Sequence, residues 1–460
     1  MDKSKRMAFE IDEKVDDSLV TAHGGVPVLL EWYRVSGAHQ AVGEGVRVKA
    51  RQRGLSESEL VESFLALWLS GGERCEDFTR LREDAALSEL VGHEFPAAQT
   101  ARDFLEGFQE EGLPLWQAGA KASVPSESAA LEGLKRANGA VVSALQERVL
   151  EETATLDVDA TILESDKRAA KATYDGRRGY QPVFVLWAEQ DVIVADEFRD
   201  GNVPAGSGNL RVVQRAISAL PNRVKAIRVR GDSALYEGDL LRWLEKEKHE
   251  YAISADMSRE LSAAVRGLPE EAWALDGEES DALRQWAEVA FVPDDGEYRK
   301  DAPCVRRYLA IRILKKQGSL FADGTDRRHF CVATNRDGDG LEILRWHRQK
   351  AGTIEHAHDV LTNDLAAEAL PSQKFGANAA WVRMNVLLYN LLSSFKRIAL
   401  PGEFLKAKPK RLRFLLFNVV AKVVRHARET LLRLTSEAVR RLMDRARTQI
   451  HLPQPSLTGV

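Results

Sequence analysis

Two aspartates stand close together in a strand-type run, Leu156-Asp157-Val158-Asp159-Ala160-Thr161. Successive side chains of a strand point to opposite faces, so both carboxylates share one face. Aspartate is depleted in strands and costly to bury alone, so two of them on one face of an apolar strand favour a bound cation. The same pattern also fits a strand end at which both carboxylates are solvated.

Two further acidic segments lie far along the chain, Arg230-Gly231-Asp232-Ser233 and Ile354-Glu355. The first ends a strand-type run, where an aspartate also fits the ordinary N-cap of a following helix. The second lies in a helical stretch, in which a glutamate is usually a solvated surface group. Only a sheet and a helix that meet could bring such distant acids together. Three converging carboxylates are what two Mg²⁺ ions need to hold the attacking and leaving oxygens of a phosphodiester.

Length and composition restrict the class of protein. A chain of 460 residues is too long for one ordinary core, and its 44% hydrophobic and 29% charged content is typical of globular proteins. Its apolar runs are far shorter than the roughly 18 residues of a membrane span, and no signal-peptide core precedes the acidic stretch 10–17. Three widely spaced cysteines fit a reducing compartment and argue against a cysteine-rich zinc site. We therefore expect a cytoplasmic protein without a membrane partner.

The net charge of −4 hides a basic segment near the C-terminus. Between Lys396 and Arg447, 15 Lys and Arg residues stand against 4 Asp and Glu. Such a segment can neutralise DNA phosphates and release counterions, although its charge alone fits a solvated surface helix equally well. The candidate phosphate contacts are Lys408, Lys410, Arg411, Arg413, Arg425 and Arg428.

Periodicity changes along the chain and suggests five parts. The first is mostly helical, with the spacing of a capping box at Ser56-Glu57-Ser58-Glu59, and fits either a helix-turn-helix reader or a plain bundle. Strands and helices then alternate, which predicts an α/β fold with a mixed sheet. Within these parts, 118–128 has the composition of a linker and about 352–392 is a long helical region. The predicted parts are a helical DNA-binding domain (1–148), the first part of a catalytic core (149–255), a β-rich insertion (256–344), the second part of the core with Glu355 (345–395) and a basic DNA-contacting segment (396–460).

These segments resemble those of bacterial insertion-sequence transposases with a DDE catalytic triad. The resemblance includes Arg345-Trp346-His347-Arg348 ahead of Ile354-Glu355, and it covers nearly the whole chain. It is most specific in the string Leu370-Pro371-Ser372-Gln373-Lys374-Phe375-Gly376-Ala377-Asn378-Ala379-Ala380-Trp381. It implies an RNase H-like core with a β-rich insertion between the second and third acids, which stand 123 residues apart. In the family's Asp-x-Thr pattern Asp159 is the first acid, Asp232 and Glu355 are the others, and Asp157 is a supporting group.

The resemblance also implies a function. A member of this family would bind two Mg²⁺ ions, with Mn²⁺ as a substitute, cut the ends of its own insertion sequence and join them to target DNA. Its partners would be the DNA of the terminal inverted repeats and of the target, held by a homodimer associated with the nucleoid. By analogy a hairpin could form on the element end and a flipped base could stack on an aromatic residue. Trp273 and Trp286 are candidates for that residue, although a core position is the simpler interpretation of each.

One position departs from the family. A basic residue that helps to hold DNA phosphate usually stands seven positions after the glutamate, and here that position is Thr362. Either Arg348 or Lys350 takes over this role, or the chain is a domesticated or decayed copy that binds DNA without cutting it.

Overall fold

A single large sheet forms the centre of the fold. The computed structural model describes residues 19–49, 51, 53–278, 282–293, 306–315, 327–426 and 429–452. The strands of the sheet, in chain order, are β1 (Thr153–Ala160), β2 (Val183–Trp187), β3 (Val192–Glu197), β4 (Ala226–Gly231), β5 (Glu250–Ser254), β6 (Ala274–Glu278), β7 (Ala282–Val289), β8 (Arg307–Lys315) and β9 (Arg327–Thr334). In space they follow the order β6-β7-β8-β9-β5-β4-β1-β2-β3.

The sheet has a mixed part and an antiparallel part. Strands β1, β2 and β3 pair antiparallel, whereas β4 lies parallel to β1 and β5 lies parallel to β4. Strands β6 to β9 pair antiparallel with one another, and β9 pairs antiparallel with β5. The predicted α/β fold class is therefore confirmed. The β-rich insertion does not stand apart from the core, because its strands continue the same sheet.

Helices make up much of the remaining described chain. They are α1 (Val26–Val35), α2 (Ala38–Gly45), α3 (Glu57–Ser70), α4 (Phe78–Arg82), α5 (Ala85–Val91), α6 (Ala98–Glu106), α7 (Ala129–Arg148), α8 (Asn209–Ala219), α9 (Gly238–Lys246), α10 (Arg259–Arg266), α11 (Gly340–Arg348), α12 (Ile354–Asn363), α13 (Phe375–Ala399), α14 (Pro409–Leu412) and α15 (Glu437–His451). Shorter strands lie at Val20–Thr21, Leu115–Gly119, Ala122–Pro125, Leu163–Glu164, Lys171–Ala172, Arg178–Tyr180, Ala421–His426 and Glu429–Leu434. No helix in these described ranges is long and apolar enough to cross a membrane.

The alternation of β1 separates two hydrophobic cores. Leu156 and Val158 belong to the core on one face, with β5 and helices α8 and α9. Residues of the opposite parity point to the other face. There Phe184, the register partner of Asp159, joins a core that also contains apolar residues of α12 and α13. The face that carries the two aspartates of β1 is thus the face on which the Glu355 helix packs.

The first and last described segments of the chain pack together. Val20–Thr21 pairs with Ala421 and Lys422, and buried residues of α1, α3, α13 and α15 share one core.

The capping box predicted at Ser56 is confirmed, because the Ser56 hydroxyl accepts from the Glu59 N–H and the Glu59 carboxylate accepts from the Ser56 N–H. The linker predicted at 118–128 is wrong, since Leu115–Gly119 and Ala122–Pro125 pair as a hairpin there. The five domain boundaries stay predictions.

Candidate active site

Asp159 and Asp232 lie side by side at one edge of the sheet. Asp159 is the last residue but one of β1, and Asp232 directly follows β4. The parallel register pairs Val158 with Gly231, so the next residue of each strand falls at the same level. The Asp232 carboxylate also accepts from the Ala234 N–H at 3.0 Å, so the N-cap interpretation of this residue holds as well. One of its two oxygens is left for other partners.

Glu355 reaches this edge from the first turn of α12. One turn further along the helix, the partly buried ring of His358 lies 5.6 Å from the ring of Phe184, the register partner of Asp159. Residues three apart on a helix share a face, so Glu355 lies on the same side of α12 as His358. Burial, and to a smaller extent the Lys350 ammonium, lowers the pKa of His358 to about 4, so its imidazole is neutral. The helix thus approaches the sheet through neutral and apolar groups and leaves the carboxylate of Glu355 exposed.

The three acids act on one another electrostatically. Burial, and to a smaller extent the negative charges of Asp232 and Glu355, raise the pKa of Asp159 to about 6 against the opposing effect of Lys350. The Lys350 ammonium lies 3.9 Å from a carboxylate oxygen of Asp159, and its side chain is largely buried. Like charges raise a carboxyl pKa only over short distances. Asp159 therefore lies within electrostatic range of both Asp232 and Glu355.

A divalent cation fits the chemistry of this group. Within the described residues, no three His, Cys, Asp or Glu side chains surround one point closely enough to ligate a single ion together. Two ions would need fewer protein ligands each, because phosphate oxygens and water would complete their coordination, and Asp159, Asp232 and Glu355 are the residues that would hold them. The donors are all carboxylates, which suit Mg²⁺ and Mn²⁺ better than zinc. Burial is the largest cause of the raised pKa of Asp159, and the charges of Asp232 and Glu355 add to it.

Asp157 has different neighbours from Asp159. It is fully buried, and its two oxygens accept from Nε and Nη2 of Arg230 at 2.6 and 2.8 Å. The hydroxyl of Thr353 donates to the same carboxylate. The charge of Asp157 is therefore neutralised inside the protein, and its supporting role stays a prediction.

Lys350, and not Arg348, is the basic residue beside the acids. The guanidinium of Arg348 is paired with Asp276 of the insertion, at 2.7 and 2.9 Å. The hydroxyl of Thr362 donates to a backbone carbonyl of its own helix, that of His358, at 2.8 Å. Of the three residues weighed for the phosphate-holding role, Lys350 alone lies against Asp159.

The basic C-terminal candidates fall into two groups. Lys408 pairs with Asp359 of α12, and Lys410 lies 3.2 Å from Asp364, so both adjoin the Glu355 helix. Arg411 is exposed, and its guanidinium packs over Phe414. Arg413 instead donates to the backbone carbonyls of Trp68 and Asp364, which is a structural role within the protein. Arg425 is exposed and paired with Glu89, and Arg428 lies outside the described residues.

The two tryptophans of the insertion are packed against the protein. Trp273 is buried, with the Arg312 guanidinium 4.5 Å from its ring centre. Trp286 packs with the small core under α11, where Gly340 leaves room for its ring. Trp273 therefore has the core position considered for it, whereas Trp286 is partly buried beside a small core.

Sequence reasoning missed Arg230, Thr353 and His347 as parts of the site. Arg230 and Thr353 hold Asp157, and His347 donates a ring N–H to the carbonyl of Gly231 at 3.0 Å. Burial lowers the pKa of His347 to about 4. The sequence feature that could have predicted the pair of Arg230 and Asp157 is an arginine at the end of an apolar strand. A buried guanidinium needs an acidic partner.

Comparison with known proteins assigns the family. A sequence model of the family described as transposase DDE domain group 1 matches residues 6–452, nearly the whole chain. No curated protein matches the chain in sequence. Among solved structures, the chain resembles the piggyBac transposase in a cryo-EM structure of its synaptic complex with hairpin DNA. That likeness has a TM-score of 0.44 and 11% sequence identity, and covers 84% of this chain and 79% of that one.

Proposed function

The chain belongs to the family of transposases with a DDE domain, and we propose that it cuts the ends of its own insertion sequence and joins them to target DNA. The observation that supports this proposal is the position of Asp159 beside Asp232 at the ends of two parallel strands, where burial first, and then the charges of Asp232 and Glu355, raise the pKa of Asp159 to about 6. The order and directions of β1 to β5 support an RNase H-like core. The rest of the proposal follows from the chemistry of this edge.

Asp159 is the central acid of the proposed site. The negative charges of Asp232 and Glu355 both raise its pKa. Two Mg²⁺ ions bound by these carboxylates, or Mn²⁺ in their place, would supply Lewis-acid activation of the attacking oxygen and charge stabilisation of the leaving oxygen. Because Asp159 holds a proton up to about pH 6, it must lose that proton before it can serve as a ligand.

Lys350 supplies the positive charge of the site. Its ammonium already contacts Asp159, and a point charge at this place can hold a phosphate oxygen of the DNA strand being cut. Lys350 would thereby take the role of the basic residue that Thr362 does not provide. This assignment weakens the alternative of a decayed copy, whose best support was Thr362.

Bound DNA would extend from the three acids along the basic C-terminal segment. Lys408 and Lys410 adjoin α12, and Arg411 and Arg425 are exposed. The pairing of Lys408 with Asp359 and of Arg425 with Glu89 can be exchanged for phosphates, because exposed ion pairs contribute little to stability. We infer that two subunits act together on the double-stranded DNA of the two inverted repeats, since both ends must reach one target.

A cleavage assay with Asp232→Asn tests the proposal. Wild-type protein, incubated with a linear fragment that carries its own flanking inverted repeats and with Mg²⁺ or Mn²⁺, should cut at the element ends. The Asp232→Asn variant should bind the same fragment in a gel-shift assay and leave it uncut. Asp239→Asn removes an exposed carboxylate seven residues away and should cut as the wild type does. Wild-type protein that binds these ends but never cuts them would identify a DNA-binding protein without catalysis.

A further inference from the structure

We propose that Arg230, Asp157 and Thr353 form a positioning clamp that sets Glu355 against Asp159 and Asp232. The clamp is defined by these three side chains, and none of them touches the DNA or an ion in this proposal. The inference rests on the proposed function, because it concerns the precision with which the three acids are held.

The centre of the clamp is a buried ion pair. The side chain of Arg230 is 2% exposed and that of Asp157 is 0% exposed. Their contact is bidentate, at 2.6 and 2.8 Å, which fixes the plane and the direction of both groups. Replacing a buried ion pair by apolar residues is often neutral or stabilising, so stability alone does not account for its presence. What such a pair adds is a defined geometry.

The clamp ties the helical segment to both strands of the site. Nη1 of Arg230 donates to the carbonyl of Trp346 at 2.6 Å, near the end of α11. The Thr353 hydroxyl donates to Asp157, immediately before α12 begins. Both ends of the short 3₁₀ turn Gln349–Gly352 are therefore attached to residues of β1 and β4. That turn carries Lys350 and leads directly into Glu355.

Thr353 has a hydroxyl that its own helix does not use. It occupies the N-cap position of α12, but its side chain accepts no hydrogen bond from the first turn. A threonine at this position normally accepts from an N–H two or three residues on. The carbonyl of Lys350 lies 3.0 Å from the hydroxyl as a second acceptor, but the Asp157 carboxylate is closer and charged, which makes it the stronger partner.

The other buried contacts of α12 are apolar and constrain its position with less directionality. Ile354, Ala357, Val360 and Leu361 pack into the core, and apolar contacts of this kind have no direction. The acids of a metal site must be held within about 0.5 Å of their working geometry. Glu355 follows Thr353 by two residues. The directional bond from Thr353 to Asp157 can therefore provide what the apolar face of the helix cannot.

Thr353→Val tests the clamp, because it removes one hydroxyl and keeps the shape of the side chain. The dissociation constant of Mn²⁺ from the full-length protein without DNA is measured by electron paramagnetic resonance. The Mg²⁺ concentration for half-maximal cleavage is measured in parallel. We expect both values to rise about tenfold, which is the lower end of the effect of removing a residue that orients a metal ligand. Thr353→Ser keeps the hydroxyl and should restore wild-type values.

Thr155→Val is the matched control. Its hydroxyl also donates to a carboxylate, that of Glu189, at the far end of the same strand, so it loses the same kind of bond away from the acids. It should lower the midpoint of thermal unfolding as Thr353→Val does, and leave Mn²⁺ binding unchanged. Arg230→Lys, which keeps the charge but cannot form the bidentate contact, should weaken Mn²⁺ binding as Thr353→Val does.

Two negative results are distinguishable. If the wild type binds Mn²⁺ and cuts its ends while Thr353→Val matches it in both assays, the clamp is wrong and the proposed function stands. If the wild type neither binds Mn²⁺ nor cuts, the proposed function fails and the clamp fails with it.

Discussion

Replacing Asp159 by asparagine should stabilise the metal-free protein at neutral pH. Burial and the charges of Asp232 and Glu355 raise the pKa of Asp159 from its ordinary 3.8 to about 6. The folded state therefore disfavours the ionised carboxylate. Asparagine removes that charge. Its side-chain oxygen can still accept a hydrogen bond from the Ala160 N–H, as Oδ1 of Asp159 does at 2.9 Å.

The size and the pH dependence follow from this difference in pKa. Below about pH 4 the carboxyl is protonated in both states, so the wild type and the variant should be equally stable. Between about pH 4 and 6 the unfolded chain releases its proton while the folded chain retains it, so the wild type loses stability as pH rises. Above pH 6 the loss is complete and amounts to about 3 kcal/mol. That is a large part of the 5–15 kcal/mol typical of a domain.

Urea unfolding between pH 4 and pH 8, followed by circular dichroism in the presence of EDTA, measures this difference. The midpoint of Asp159→Asn should move above that of the wild type as pH rises, while Asp239→Asn, which lacks an exposed carboxyl, should follow the wild type. Saturating Mg²⁺ should stabilise the wild type and not Asp159→Asn. A difference that is constant over this pH range, or one that shrinks as pH rises, would contradict the assignment of Asp159 to a crowded acidic site.

Three further predictions concern the site, the core and the DNA surface. Lys350→Met removes the charge that lowers the pKa of Asp159, so the acid limb of the pH–rate profile for cleavage should move to higher pH; an unchanged profile would refute the contact. Arg383→Met removes the partner of the buried Asp196 and should cost about 3–5 kcal/mol in urea unfolding, with partial recovery in the double variant with Asp196→Asn. Arg411→Gln should lower the slope of log affinity against log salt by about 0.9 in fluorescence anisotropy with the end fragment. An unchanged slope would remove Arg411 from the DNA surface.

The fold class could be predicted because it depends on local patterns. The alternation of β1 and the apolar runs of β2 and β3 are visible in sequence, and so is the capping box that starts α3. The predicted helical region of about 352–392 contains two helices, α12 and α13, separated by a loop that includes Pro371. A proline disfavours helical backbone in the residue before it, so this break had a local signal. The hairpin at Leu115–Pro125 had a weaker one, since its strands are short and partly exposed.

The composition of the site depended on contacts that no local pattern contains. Period two places Asp157 and Asp159 on one face, and nothing in that period distinguishes them. The difference lies in Arg230, which stands 73 residues after Asp157 and faces it only because β4 lies parallel to β1 in one register. A shift of the register by one residue would turn the guanidinium to the other face.

Arg230 also determines the charge of the site. With Asp157 neutralised by this arginine, the charges left at the edge of the sheet are those of Asp159, Asp232 and Glu355 against Lys350, a net charge of minus two once Asp159 is ionised. Two divalent cations would reverse this to plus two, which attracts a DNA phosphate. If Asp157 were unpaired, its additional negative charge would raise the pKa of Asp159 further and weaken that attraction. The ion pair between Asp157 and Arg230 therefore neutralises the charge of Asp157 at the site. It also helps to hold α12, the helix that carries Glu355, in place.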